Sequence, residues 1–429
     1  MPYFSTNKEA PHASFREAVL DGQPADNGLY FPTAIPKLSD DLLAEFRSMT
    51  NAEIAFEVIR PFVEGEIDEE SLRRICAETV NFDIPLVDIS DRIAVLELFH
   101  GPTLAFKDVG ARFMSRCLGH FSGSTGSKTI VIAATSGDTG SAVADGFHNV
   151  DGVEVVILYP KGKVSRVQEL QLTTVGGNVT TLELHGTFDD CQAIAKQALG
   201  DADIRSKAHL TSANSINIAR WLPQQFYYFY ALKQWNGSRP PKISVPSGNF
   251  GNLAAGTLAA KAGLPTGKFV AACNANDVVP RFLETGNYEP RDSIATLSNA
   301  MDVGAPSNWK RIAEMYDNDR SQITAAMSAV RVSDEETRET IRSVYDQHGY
   351  ILDPHAAVGY KALSDLLQDG EKGIVLGTAH PVKFDSVADI LKKDIPIPSS
   401  IRDLEKKERQ SIEVDNDYAQ VKEIILSKV

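Results

Sequence analysis

Three short segments hold residues whose types and spacing suit an activated amine and a bound anion. In HGPTLAFKD, residues 100–108, one lysine, Lys107, follows an aromatic and opens a helical pattern. A helix N-terminus disfavours a cation, and burial disfavours it again, so an amine there loses its proton more readily and becomes a nucleophile. Asp108 could pair with that amine and blunt it, and a solvated surface lysine is the plainer reading. TSGDTG, residues 135–140, leads from a strand pattern into a helix pattern. Its Thr135, Ser136 and Thr139 hydroxyls and its backbone N–H groups suit a carboxylate or phosphate, although Asp138 or Thr139 could serve as a helix cap and nothing more. PSGNFGN, residues 246–252, joins another strand to another helix. Its glycines let the backbone approach an anion, which the free N–H groups and the helix dipole attract. The segment is neither a Walker A loop nor GxGxxG, and an ordinary glycine turn is its competing reading.

These segments need a scaffold that brings them together. IAVLELF, KTIVIAA, VEVVILY, NVTTLEL, KISVPS, KFVAACN and KGIVLGT read as buried strands, separated by amphipathic stretches such as VGARFMSRCLGHF and DDCQAIAKQALG. Continuous apolar strands alternating with helices predict an α/β protein with parallel sheets covered on both faces. Ligands in such folds lie at the carboxyl ends of strands. All three segments fall at such ends, as does GTAHPVKF after KGIVL. The first 80 or so residues read as helices without a strong strand, a second helical stretch covers roughly 309–370, and the charged tail after Ser399 reads as surface. The aromatic run FYYFY at 226–230 reads as helix core.

Composition narrows the function classes. A chain of 429 residues with 43% hydrophobic and 23% charged residues is expected to be soluble, globular and divided into domains. A net charge of −14 disfavours nucleic acid. The four cysteines lie far apart without a CxxC pair, and the nine histidines show no HExxH, so a metal site has no support. No GxSxG elbow marks a serine hydrolase. Without a signal pattern or an 18-residue apolar stretch, a cytoplasmic protein that avoids the membrane is expected. Monomer and homodimer stay open.

HGPTLAFKD, TSGDTG, PSGNFGN, SNAMDVGAPSNW and LGTAHPVKF, in this order and at these separations, closely resemble the threonine synthase family, in its shorter microbial branch. The resemblance runs from SFREAVLDG near residue 14 to about residue 395. STNKEAP and ADNGLYFP near the N-terminus depart from the more usual forms. The resemblance implies a fold-type II pyridoxal 5'-phosphate enzyme that turns O-phospho-L-homoserine and water into L-threonine and phosphate. It implies two parallel-sheet α/β domains and an N-terminal helical module: residues 1–90 for the module, 91–124 with 226–429 for a large cofactor-binding domain, and 125–225 for a small domain that closes on substrate.

Carried over residue by residue, Lys107 binds the cofactor. Gly248, Asn249, Phe250, Gly251 and Asn252 hold its phosphate, and Thr378 stands beside the pyridine nitrogen. Ser136, Gly137, Asp138 and Thr139, with Thr135, meet the substrate carboxylate and the ring hydroxyl, where many relatives of the wider fold carry Asn in place of Asp138. The substrate's own phosphate needs a separate cradle, for which Lys163 and Arg166 in PKGKVSR, and Ser215, Asn217 and Arg220 in NSINIAR, are candidates. Other lyases of the same fold type remain as alternatives, namely a serine or threonine dehydratase or a phosphohomoserine lyase. A cofactor-binding paralogue without turnover is a third.

Overall fold

A computed structural model describes residues 1–122 and 128–429. The expected boundary between residues 124 and 125 lies outside these described residues. Two parallel sheets form the body of the molecule. The larger has six strands in the order Met327–Arg331, Phe269–Cys273, Lys242–Pro246, Gly373–Gly377, Ile93–Glu97 and Leu86–Asp88. All its pairings are parallel except the last. The smaller has five parallel strands in the order Ile412–Val414, Val179–Leu184, Val153–Pro160, Thr129–Ala134 and His209–Ser212. Their central strands are buried throughout, as continuous Val, Ile, Leu and Ala runs demand when helices cover both faces.

Several elements differ from the sequence expectations. Tyr3–Ser5 and Tyr30–Pro32 pair antiparallel within the N-terminal module, and Leu86–Asp88, assigned to that module, adds an edge to the large sheet. The stretch 309–370 contains the strand Met327–Arg331, a sheet edge whose half-exposed pattern lacks an apolar run. The tail lies largely on the surface, as expected, but it is structured. Ile412–Val414 extends the small sheet, and the helix Tyr418–Leu426 buries Val421 and Ile425 against it. Residues 412–426 therefore belong with the small sheet and not with the large domain in which 226–429 was placed.

The helix Phe226–Gln234 buries its aromatic run as expected, and its hydroxyls reach out from the core. Tyr230 donates to the Asn51 carbonyl at 2.9 Å, Tyr227 to the Phe106 carbonyl at 2.6 Å and Tyr228 to the Asn252 carbonyl at 2.8 Å. One helix thus anchors the N-terminal module, the segment before Lys107 and the SGNFGN loop. The divergent N-terminal segment is ordered by Asp26, which accepts from Ser5 Oγ at 2.6 Å and from the Glu9 and Ala10 N–H groups at 3.0 Å. No helix among the described residues is long and apolar enough to cross a membrane.

Candidate active site

Lys107 opens the helix Lys107–Ser122. Its loop is tied to the one that follows Gly373–Gly377: the Phe106 N–H donates to the Thr378 carbonyl at 2.9 Å, and the His380 N–H to the Leu104 carbonyl at 3.0 Å. The Lys107 amine makes no hydrogen bond or ion pair among the described residues. Burial, with smaller contributions from Lys383 and Arg220, lowers it to about 8 against the opposing pull of Asp138. Asp108 does not pair with it. The Asp108 carboxylate accepts from Thr103, from the N–H at 2.9 Å and from the hydroxyl, which leaves Lys107 unencumbered.

The SGNFGN loop is built for close approach. A Cβ on Gly248 would stand 2.5 Å from the Cα of Met301, so only glycine fits. Phe250 is held in the left-handed region, at φ 62°, with its ring edge-on to Trp309 at 5.7 Å. Asn249 accepts from the Ser307 N–H at 2.6 Å and donates to Ser215 Oγ at 2.9 Å. No hydrogen bond within the described residues engages the N–H groups from Gly248 to Leu253. The buried Asn252 Nδ2 has no partner either. Consecutive N–H groups at a helix start, with a glycine against a wall, suit a phosphate ester.

TSGDTG is braced from inside. Thr135 Oγ1 accepts from the Gly137 N–H at 2.9 Å and the Gly140 N–H at 2.8 Å, so its hydroxyl is engaged within its own loop. Gly137 has φ 139°, and a Cβ there would run into the Gln168 side chain. Ser136 and Thr139 are half-buried, and their hydroxyls make no hydrogen bond among the described residues. Asp138 is buried. It pairs with Lys383 at 2.7 Å and accepts from Gln168 Nε2 at 2.9 Å. Burial alone would raise this carboxyl, but Lys383 and Lys107 hold it well below the usual range.

Lys383, absent from the sequence assignment, is fully buried and also donates to the Thr103 carbonyl at 2.8 Å. It links the two sheets, because Thr103 and Lys383 follow strands of the six-stranded sheet and Asp138 a strand of the five-stranded one. Removing one member of such a buried pair costs about 3–5 kcal/mol. The signal was a lysine within the quoted GTAHPVKF, whose burial sequence does not reveal.

The remaining candidates separate. Arg220 is buried and donates to the Ala213 carbonyl, while its Nε has no partner among the described residues. Burial lowers it to about 10, and it lies close enough to Lys107 and Asp108 to interact with both charges. Asn217 is part of the scaffold: its amide donates to the Val19 carbonyl at 2.9 Å, and its Oδ1 caps the following helix at the Ala219 N–H. Ser215 accepts from Asn249 and Asn308, which places it behind the SGNFGN loop. Behind it, the buried Arg311 donates to the Ser215, Ile216 and Tyr30 carbonyls and to Asn308 Oδ1. Lys163 is exposed on the loop after Val153–Pro160, and Arg166 pairs with Glu405 at 2.8 Å. Thr378 is buried, with no hydrogen bond to its hydroxyl among the described residues.

Comparison with known proteins agrees with this geometry. Residues 87–376 match the family described as pyridoxal-phosphate dependent enzyme, residues 2–80 match threonine synthase N terminus, and residues 356–425 match threonine synthase, C-terminal. A threonine synthase of Haemophilus influenzae is 42% identical over 429 residues, covering 99% of this chain and all of its own. The crystal structure of the Escherichia coli threonine synthase superposes with a TM-score of 0.92 at 41% identity, covering 100% of both chains. A pyridoxal-phosphate-bound threonine synthase from Brucella melitensis gives 0.94 at 35% identity, covering 100% of this chain and 99% of that one. The cofactor is pyridoxal phosphate, which the uncharged glycine cradle, the partnerless N–H groups and the unpaired Lys107 amine fit. The chain belongs to the threonine synthase family of pyridoxal-phosphate-dependent enzymes.

Proposed function

We propose that this enzyme converts O-phospho-L-homoserine and water into L-threonine and phosphate, the last step of threonine biosynthesis. The observation that carries the reading is the meeting of an unpaired Lys107 amine with an uncharged glycine cradle and a hydroxyl-bearing loop, each at the carboxyl end of a parallel strand. Lys107 would hold the cofactor covalently, the N–H groups from Gly248 to Asn252 would hold its phosphate, and Thr378 would face the ring nitrogen. The chemistry supplied by the cofactor when bound is a sink for the electrons left as protons depart from carbon.

The chain's own residues do the rest. Lys107 Nζ, once free, is the base for the protons at Cα and then Cβ of the substrate. The hydroxyls of Ser136 and Thr139, with the N–H groups of their loop, orient the substrate carboxylate. Arg220, with Lys163 as a second cation, would take the charge that grows on the departing phosphate as the Cγ–O bond breaks. A proton is then returned at Cγ, which becomes the methyl group, water gives its hydroxyl to Cβ, and a last proton goes back to Cα, with the Lys107 amine as the carrier that had taken up the first two. Closure of the small domain over the cleft would exclude bulk water before that step. The lyase alternatives differ from this reading in the product. Incubation with O-phospho-L-homoserine should release phosphate and threonine in equal amounts, and borohydride should fix the cofactor to a peptide containing residue 107. A keto acid in place of threonine, or label on another lysine, would overturn the reading.

A further inference from the structure

Two buried lysines share one buried carboxylate. Asp138, on the helix Asp138–Phe147, pairs with Lys383 at 2.7 Å and also attracts Lys107. Lys383 has no exposed surface, and its ammonium is fixed from the other side by the Thr103 carbonyl at 2.8 Å. A scaffold does not need these two charges, because a pair of apolar residues of similar size often fills such a buried site as well. The ion pair therefore asks for an electrostatic reason, and the nearby functional amine supplies one. We propose that Lys383 is a positioning residue whose ammonium serves as the standing counter-ion of Asp138, and so keeps that carboxylate from locking Lys107 in its protonated form. The inference rests on the assignment of Lys107 as the cofactor lysine.

Without Lys383, the buried Asp138 would have one amine left to neutralise it, that of Lys107 itself. An ammonium held against a carboxylate gives up its proton reluctantly and is a poor nucleophile. With Lys383 in place, the Asp138 charge stays balanced whether Lys107 is protonated, neutral or covalently engaged. The other groups around Lys107 do not take over this part. Arg220, from the helix Ile218–Trp221, is a cation. Asp108 faces Thr103, and Tyr227, from the aromatic helix, donates its hydroxyl to the Phe106 carbonyl. Gln168 donates to Asp138 at 2.9 Å, which orients the carboxylate without neutralising it. The arrangement also accounts for an aspartate beside the cofactor site: an acid paired with a buried ammonium presents no net charge.

The test follows uptake of pyridoxal phosphate by the full-length chain freed of cofactor, across a range of pH, with borohydride trapping and peptide mapping. In Lys383→Met the pH at which residue 107 becomes reactive should move upward, with trapping slowed about tenfold or more at neutral pH. Asp138→Asn combined with Lys383→Met should restore the parental profile. Asp138→Asn alone leaves Lys383 as a bare cation near Lys107, and should move the profile to lower pH. That variant carries the test if Lys383→Met does not fold. A merely structural role would lower the melting temperature without moving either profile. Profiles unmoved in the single variants, or a double variant that stays shifted, would overturn the inference while leaving Lys107 as the cofactor lysine. Label on a different lysine would overturn the assignment of Lys107 as well.

Discussion

The two anion-suited loops, SGNFGN and TSGDTG, start from the same local plan, a strand running into a helix, and are stabilised in opposite ways. SGNFGN is braced from outside. Met301 closes on Gly248, Ser215 and Ser307 hold Asn249, Trp309 meets the Phe250 ring, and Tyr228 takes Asn252. No charged side chain lies within it. TSGDTG is braced by its own Thr135 hydroxyl, keeps two hydroxyls without partners among the described residues and carries a buried aspartate whose counter-ion comes from the loop after a strand of the other sheet. A loop fixed by its surroundings suits a group that stays, because nothing has to rearrange when it binds. A self-braced loop presents the same donors whether or not a ligand is there, which suits a ligand that comes and goes each turnover.

The contrast can be broken at four points, taken from the largest expected effect downward. Arg220→Ala should leave the cofactor bound while turnover falls by about 2–4 kcal/mol of transition-state stabilisation, measured as phosphate release. Loss of the cofactor instead would mean that Arg220 serves the fixed loop. Gly248→Ala should weaken cofactor binding by about 1–3 kcal/mol, since the new methyl meets main chain that has little room to give. Equilibrium dialysis reads this directly, and parental affinity would refute the external bracing.

The third point is the pH dependence of the Lys107 segment. Burial raises Asp108 to about 6, partly offset by its two hydrogen bonds from Thr103. The folded chain therefore takes up this proton before the unfolded chain does as pH falls. Its contribution to stability grows from about pH 6 down to the ordinary carboxylate range and is lost as pH rises through 6. Asp108→Asn should flatten that slope by about 1–3 kcal/mol in denaturant titrations, and an unchanged slope would assign it elsewhere. The smallest effect is expected for Ser136→Ala, about 0.5–1.5 kcal/mol in KM with cofactor affinity intact. A fall in cofactor affinity would erase the distinction between the two loops.

Much of this site could be read before any coordinates. Lys107, the glycine cradle and the TSGDTG turn were legible as candidates because each lies within one short segment at a strand end, and their order along the chain, more than any one of them, set them apart from a surface lysine or an ordinary turn. What stayed hidden depends on partners far along the chain. Asn217 reads as a free amide until Val19 arrives to accept from it, and Ser215 reads as a substrate donor until Asn249 and Asn308 converge on it. Lys383 stood in a quoted motif, yet its role depends on a carboxylate 245 positions earlier, 383 minus 138. The missed strands share a different cause. Met327–Arg331 and Ile412–Val414 are edges with one neighbour each, so neither needs the continuous apolar run by which the inner strands were found.

That last strand bears on how the molecule comes to be made. Four strands of the small sheet, Thr129–Ala134 to His209–Ser212, are synthesised together, but the fifth follows only after the whole large domain has been translated. Until then, Val179–Leu184 presents an unpaired edge, the kind of surface on which nascent chains stick to one another. Ile412–Val414 therefore acts as a late seal. It withholds completion of the five-stranded sheet until all six strands of the larger sheet have been made, so the two sheets are finished in a fixed order.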